Sequence, residues 1–363
     1  MAKTKGYYDI TKVKKKAEKE NSQFIFIYGG KSKGKSFQAK LHLMIMHYIE
    51  NPGRRFCLLR RYDDEVNKSK TELYFRDVLM NIDLMKLTDN MYNSIECISH
   101  KIFFTFVDEA GKRKRKEHIG YAICLNREQN FSSILSEKDI DNIVFEEFQS
   151  RTTYLTGEAD KLDFLYSTID RERGTTKLWF LGNAISKACP YWEHFNILDL
   201  VKTQKNGDID AHIINGKRIL LEKTKSFNNT RTTVGSAAGA IANGDWYSTP
   251  QPRIKMKGHR RGLVYVRFNF SGLLFLGCLN LTPEGNAYWF IRSVEHFPYK
   301  KKPQYLVTNK FGEPSHYRSS SIYDLGGERF KELAKNTFRN DNLYFDTNET
   351  GTDFKTSCPF RIK

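Results

Sequence analysis

The sequence predicts an α/β protein with a mostly parallel central sheet, followed by a second, smaller domain. Three stretches carry that expectation: residues 23–37 (QFIFIYGGKSKGKSF), residues 141–149 (DNIVFEEFQ), and a change of composition at residues 226–244. The first joins an apolar run to a glycine-rich turn and then to Lys35 and Ser36. It fits the phosphate-loop pattern G-x-x-x-x-G-K-[ST], with Gly29, Gly34, Lys35 and Ser36 at the fixed positions. Glycines let such a loop fold back so that backbone N–H groups face phosphate oxygens. The helix that follows adds the positive end of its dipole. Here the run Phe24 to Tyr28 reads as a buried strand. After it, Phe37, Leu41, Met44, Ile45 and Tyr48 share one helical face, and Asn51-Pro52-Gly53 stops the helix. Gly29, Gly30, Lys31, Ser32, Lys33, Gly34, Lys35, Ser36 and Phe37 are therefore the candidate nucleotide cradle. Lys35 would reach the β- and γ-phosphates of ATP, and Ser36 would ligate Mg²⁺.

In the second stretch Ile143, Val144 and Phe145 form a short buried strand, and Glu146 and Glu147 follow at its end. Two acids at a strand end also describe a solvent-facing terminus. In a chain that holds a phosphate loop they fit one phosphoryl-transfer site. Glu146 would stand in the Mg²⁺ shell and Glu147 would polarise the attacking water.

The chain has 363 residues, enough for two ordinary domains, and 39% of them are hydrophobic. The net charge is +17, an excess that usually meets a polyanion, most often nucleic acid. A small-metabolite kinase fits that charge less well. The longest apolar runs are far shorter than a membrane span, and no secretory signal is visible. Six scattered cysteines form no C-x-x-C pair, so the sequence points to neither a zinc site nor a disulfide framework and fits a reducing cytoplasm.

Between and beyond the two motifs the chain reads in order as follows. Residues 12–20 (KVKKKAEKE) form a mixed charge run, ordinarily a solvated helix face. Residues 54–62 (RRFCLLRRY) make a strand ending in Arg60 and Arg61. Those arginines serve either a ligand or the surface, and the sequence leaves both open. Residues 63–100 read as helix with loops. Residues 101–108 and 118–126 read as two strands of a hairpin whose tip carries Lys112, Arg113, Lys114, Arg115 and Lys116. Five consecutive cations repel one another. Either they are solvated, or they neutralise DNA phosphates. Residues 177–184 (KLWFLGNA) form another buried strand that brings Asn183 beside the acids, within reach of a γ-phosphate. Arg171 and Arg173 precede that strand. Either is placed to stabilise charge in a neighbouring subunit's site, and either also suits a surface ion pair. Residues 209–223 read as a hairpin turning at Asn215-Gly216, and residues 226–244 as linker. From residue 249 a basic domain follows, with strands at 262–270, 273–280 and 287–292 and a helix at 328–337. Arg253, Lys255, Lys257 and the stretch 259–261 lead into it, and Lys300 to Lys302 follow it.

The order GGKSKGKS, a strand ending RRY, a hairpin, IVFEEF, R-x-R, then GNA with PYW at 190–192 resembles the genome-packaging ATPases of small short-tailed phages of the phi29 type. The likeness covers the first 200 residues, and the rest agrees in layout. It implies an ASCE-type P-loop domain, a linker, and a C-terminal vestigial-nuclease domain of RNase H-like kind, divided at 1–205, 206–248 and 249–363. By position it gives Lys35 and Ser36 to phosphate and Mg²⁺, Glu146 to the metal shell, Glu147 to catalysis, Arg171 to a trans-acting finger, and Asn183 to sensing. The family has Asp where this chain has Glu146, whose longer side chain would still reach Mg²⁺ through water. The resemblance further implies double-stranded DNA, the portal of a prohead, and a homo-oligomeric (pentameric) ring as partners. Its setting would be the host cytoplasm and the portal vertex; a packaging RNA is left open. A true RNase H-like nuclease needs clustered acids on its central strands, and residues 262–280 contain none. The C-terminal domain therefore reads as a docking module. Asp324, Glu328 and Asp346 lie elsewhere in it. The remaining alternatives are a terminase-like protein with an active nuclease and a DNA-binding scaffold with a silent phosphate loop.

Overall fold

Five apolar residues in a row offer no polar face to water, and β1 (Phe24–Tyr28) is accordingly buried along its whole length. The structure, a computed structural model, describes residues 8–30, 34–131, 135, 139–150, 154–225, 251–254, 258–295, 305–308, 318–319, 332–333, 336–338 and 340–358. Before β1 lies α1 (Thr11–Lys19), the mixed charge run, which buries only Val13 and Ala17. After it, α2 (Lys35–Ala39), a π-helical segment (Lys40–Ile45) and α3 (Met46–Glu50) form one continuous helix ending at the expected stop.

The first sheet then adds β2 (Arg55–Arg60), β3 (Ser94–Ile98), β4 (Lys101–Val107), β5 (Arg113–Cys124), β6 (Ile140–Glu146), β7 (Lys177–Leu181), β8 (Ile209–Ile214) and β9 (Lys217–Lys223). Its order is β3-β4-β5-β2-β6-β7-β1-β9-β8. The six strands from β5 to β9 in that order run parallel, and the hairpin partners at the two edges are antiparallel. One strand, β7, separates the phosphate-loop strand β1 from the acid strand β6. That order and the mostly parallel sheet are those of the expected P-loop fold. The helices α4 (Lys68–Leu79), α5 (Leu84–Leu87), α6 (Glu158–Asp170), α7 (Pro190–His194) and α8 (Leu198–Thr203) connect the strands. The core beneath the loop is aromatic. Phe26 stacks on Phe180 with centroids 4.0 Å apart, and Phe148, Trp192 and Phe195 meet it edge-on or tilted.

Three sequence expectations are corrected here. The region 63–100 contains a strand, β3, because its short apolar stretch finds a pairing partner in β4. The cation run is not a bare hairpin tip: β5 begins at Arg113, and the turn spans only residues 108–112. The boundary at residue 205 falls short, since β9 pairs in parallel with β1 and closes the first sheet together with β8. Residues 226–250, which hold most of the expected linker, lie outside the described residues.

Among the described residues a second sheet has the order β14-β13-β10-β11-β12-β15. Its strands are β10 (Arg260–Phe270), β11 (Leu273–Leu281), β12 (Ala287–Ser293), β13 (Tyr305–Thr308), β14 (Arg318–Ser319) and β15 (Leu343–Phe345). β10, β11 and β12 form an antiparallel meander, while β13 runs parallel to β10 and β14 parallel to β13. This is the strand layout of an RNase H-like domain. A last helix, α9 (Asn348–Ser357), seats Phe354 against Phe268, Phe275 and Phe345. The expected helix at 328–337 lies largely outside the described residues, as do Lys255, Lys257, Lys300 to Lys302, Asp324 and Glu328. No helix among the described residues is long and apolar enough to cross a membrane.

Candidate nucleotide site

Parallel strands that carry their loops at one edge bring those loops together, and β1, β6 and β7 do so here. Glu146 and Ile27 both pair with Leu181, so the phosphate loop, the two acids and Asn183 leave the sheet at the same level. Gly29 has φ +144°, and a Cβ there would stand 2.2 Å from Thr224 Oγ1, so only glycine allows the loop to pass the residue after β9 this closely. Gly34, with φ +90°, turns the chain into α2.

Lys35 is 6% exposed. Its ammonium donates to Gly30 O at 2.5 Å and comes within 3.4 Å of Asn183 Oδ1. Ser36 Oγ donates to Glu146 Oε2 at 3.0 Å, closing the gap between loop and acid strand. The Tyr74 hydroxyl, from α4, donates to the other oxygen, Glu146 Oε1, at 2.7 Å. Burial pushes the Glu146 carboxyl above its usual range, and Tyr74, Arg60, Ser36 and Lys40 oppose that push. A hydroxyl and a carboxylate side by side form an oxygen donor set that suits a hard cation such as Mg²⁺. Lys31, Ser32 and Lys33 lie outside the described residues; Phe37 is half-buried on the core side of the helix.

Glu147 is the next residue, but its environment differs. Its side chain is 64% exposed, and Arg60 approaches Glu147 Oε2 at 3.2 Å while also binding Glu65 at 2.8 Å. Its backbone has φ +55°, a left-handed conformation that is unusual outside glycine. Arg61 secures that turn. Its guanidinium donates to Glu147 O at 3.1 Å and Phe148 O at 2.7 Å, and it forks onto the buried Glu158 carboxylate at 2.9–3.0 Å. Glu158 also accepts from the Tyr191 hydroxyl and from Leu155 N, both at 2.7 Å. The sequence left Arg60 and Arg61 between ligand and surface. The fold gives both to the acid pair.

Arg171 sits at the other end of α6, before β7 begins, and so at the sheet edge opposite the phosphate loop. α6 has 13 residues, a length of about 20 Å. Its side chain is exposed and donates from Nε to Thr168 O at 3.3 Å. Arg173 is half-buried and bonds to Asp170 O and Ile169 O, both at 2.9 Å, and to Thr176 Oγ1 at 3.3 Å. Arg173 therefore ties off the helix end and leaves Arg171 exposed. In the cation run, Arg113 pairs with Glu96, Lys114 with Asp108 at 3.0 Å, and Lys116 lies over the Phe103 ring at 3.8 Å. Lys112 is exposed in the turn; the side chain of Arg115 lies outside the described residues.

Sequence reasoning missed Tyr74, Glu158, Thr224 and Lys40. Only Lys40 left a signal. It lies three residues after Phe37 and four before Met44, inside the apolar stripe, and a charge there must find partners. It donates to Tyr74 O at 2.8 Å and Asp77 Oδ1 at 2.5 Å.

The family described as Podovirus DNA encapsidation protein (Gp16) matches residues 5–216. The DNA packaging protein of Bacillus phage B103 is 27% identical over 213 residues, 57% of this chain and 56% of that protein. That of Bacillus phage phi29 is 29% identical over 191 residues, 52% of this chain and 51% of that protein. The chain spans about half the length of the curated relatives it matches. The solved N-terminal domain of the DNA packaging ATPase from bacteriophage phi29 is 23% identical at a TM-score of 0.46, covering 62% of this chain and 99% of that domain.

Proposed function

The chain belongs to the podovirus DNA encapsidation protein family, and from that premise we propose that it is the ATP-hydrolysing subunit of a motor that drives double-stranded viral DNA through a portal into a preformed head. The observation that carries this reading is the Ser36–Glu146 contact at 3.0 Å with Glu147 exposed beside it. A protein that only binds nucleotide needs the first acid and has no use for the second.

In this reading Lys35 holds the β- and γ-phosphates, and Ser36 and Glu146 would hold Mg²⁺, which would supply neutralisation of phosphate charge. Glu147 takes a proton from water as the oxygen attacks the γ-phosphorus. The bond to the β-phosphate oxygen breaks, and ADP carries away the electron pair. Asn183 reads the γ-phosphate beside Lys35. Arg171 lies at the sheet edge opposite its own phosphate loop, so its contribution as a finger is made to the next subunit in a ring. Lys112, exposed in the turn between β4 and β5, contacts DNA phosphates, and the C-terminal domain docks on DNA or the portal.

ATP turnover with and without double-stranded DNA tests the reading. DNA-stimulated turnover in the wild type, falling about 10²–10⁴-fold in Glu147→Gln, is the expected result. Glu147→Gln should still bind ATP. Absence of turnover in the wild type would leave a silent scaffold as the better description. The RNase H-like strand order favours a second reading, a packaging protein that also cuts DNA. Plasmid cleavage in Mn²⁺ would establish it, against the absence of Asp and Glu from β10 and β11.

A further inference from the structure

The segment that ends β7 does not stay in the first domain. Gly182 and Asn183 stand at the candidate site, and five residues after Asn183, Ala188 is buried in the core of the second domain with Phe268, Phe270 and Phe354. Between them Ser186 is 2% exposed. Its hydroxyl donates to Asp353 Oδ1 of α9 at 2.7 Å and accepts from Ala188 N at 2.9 Å. Lys187 N donates to the same Asp353 oxygen at 3.3 Å. The Lys187 ammonium pairs at 2.7 Å with Glu349, one helical turn before Asp353.

On the other side, Ser186 O accepts from Gln149 Nε2 at 3.2 Å. Gln149 is buried and stands two residues after Glu147. Gly182 fits without slack against the same segment, since a Cβ there would meet the Phe148 ring at 2.7 Å. A continuous run of buried contacts thus leads from Gln149, two residues beyond Glu147, through Ser186 to Asp353. A buried carboxylate keeps its place only while its partners do, because an unpaired charge in the interior is costly. Such a junction moves between a few discrete arrangements and does not yield gradually.

We propose that the Gln149–Ser186–Asp353 junction couples the nucleotide site to the C-terminal domain. A shift of residues 147–149 or of Asn183 when nucleotide binds moves α9. By linkage, whatever grips the second domain biases the site in return. The inference rests on reading residues 29–36 as a nucleotide site. It goes beyond that reading by assigning the route.

Amide hydrogen exchange on the full chain, with and without ATPγS and Mg²⁺, tests it. In the wild type the nucleotide slows exchange at the phosphate loop and also changes exchange in α9 by about fivefold or more, the low end of ordinary coupling. In Asp353→Ala the phosphate-loop protection stays and the α9 response is lost. Ser186→Ala, which leaves the carboxylate in place, loses it too and serves if Asp353→Ala fails to fold. Loop protection without an α9 response in the wild type overturns the coupling. So does an α9 response that survives in the folded variants. No protection at the loop overturns the nucleotide reading itself, and the coupling with it.

Discussion

Glu147 holds a backbone conformation that costs a non-glycine residue on the order of 1–3 kcal/mol, and a series of three side chains holds it there. Arg61 grips its carbonyl, Glu158 grips Arg61, and Tyr191 grips Glu158. The neighbouring Glu146 is handled differently. Tyr74 takes one of its oxygens and leaves the other to Ser36. If Glu146 stands in a Mg²⁺ shell, Tyr74 orients that ligand from behind. Groups of this kind commonly cost about 10–100-fold in metal affinity or activity when removed. Tyr74→Phe should therefore raise the Mg²⁺ concentration for half-maximal turnover by that factor with the fold intact; an unchanged Mg²⁺ titration would show the hydroxyl to be structural only. Lys35, Ser36, Glu146 and Glu147 were readable because fixed spacing on a strand, loop or helix places them. Tyr74 and Glu158 were not, and nor were the partners of Arg61, because these groups meet only through tertiary packing, and no local pattern records which side chains arrive.

Among the elements, α6 shows what position within a fold decides. Its first turn reaches the acid pair through Glu158 and Arg61, and the residues just past its end carry Arg171 and Arg173 at the opposite sheet edge. The sequence alone left both arginines open as fingers. In the structure Arg173 satisfies helix-end carbonyls and Arg171 is exposed. Arg171→Ala should lower turnover about 10³–10⁵-fold and move stability by no more than about 0.5 kcal/mol. Mixing it with Glu147→Gln subunits, which keep a finger to donate, should restore activity. Arg173→Ala should do the reverse, costing about 1 kcal/mol or more of stability through its lost hydrogen bonds while turnover holds. Inverted results would move the finger to Arg173. The β4–β5 hairpin teaches the same lesson about charge. Arg113 is committed to Glu96, a carboxylate only 7% exposed, whereas Lys112 is exposed in the turn. If the turn meets DNA, Lys112→Ala should flatten the slope of log affinity against log salt by about 0.9. Arg113→Ala should leave that slope and weaken the sheet edge, as thermal denaturation would record.

For the molecule as a whole, the phosphate loop is held from the far side of its sheet as well as from the acid side. β9 runs beside β1 and places Glu222 next to Ile27, while Thr224 N donates to Tyr28 O at 2.8 Å. The Tyr8 hydroxyl, ahead of α1, closes over Glu222. The segment before α1 and the last strand of the first domain therefore meet behind the loop. The sequence reading missed this by ending the domain at residue 205, because the partner of β9 in the sheet, β1, lies almost two hundred residues earlier. Glu222 is 7% exposed, and burial raises its carboxyl to about 7, against the opposing hydrogen bond from Tyr8 and the charge of Lys35; Asp9 adds to the rise. A carboxyl raised in the folded state keeps its proton where the unfolded chain has lost it, so its contribution to stability is whole below pH 4.5 and is lost as pH climbs to about 7. The loss amounts to about 3 kcal/mol at about 1.4 kcal/mol per unit. Glu222→Gln keeps an acceptor for Tyr8 and removes the titration. Thermal denaturation should find the two proteins closest at pH 5 and the variant more stable at pH 8. If the wild type is the more stable at pH 8, Lys35 holds Glu222 ionised, and the phosphate loop and β9 are joined by an ion pair instead of a buried neutral acid.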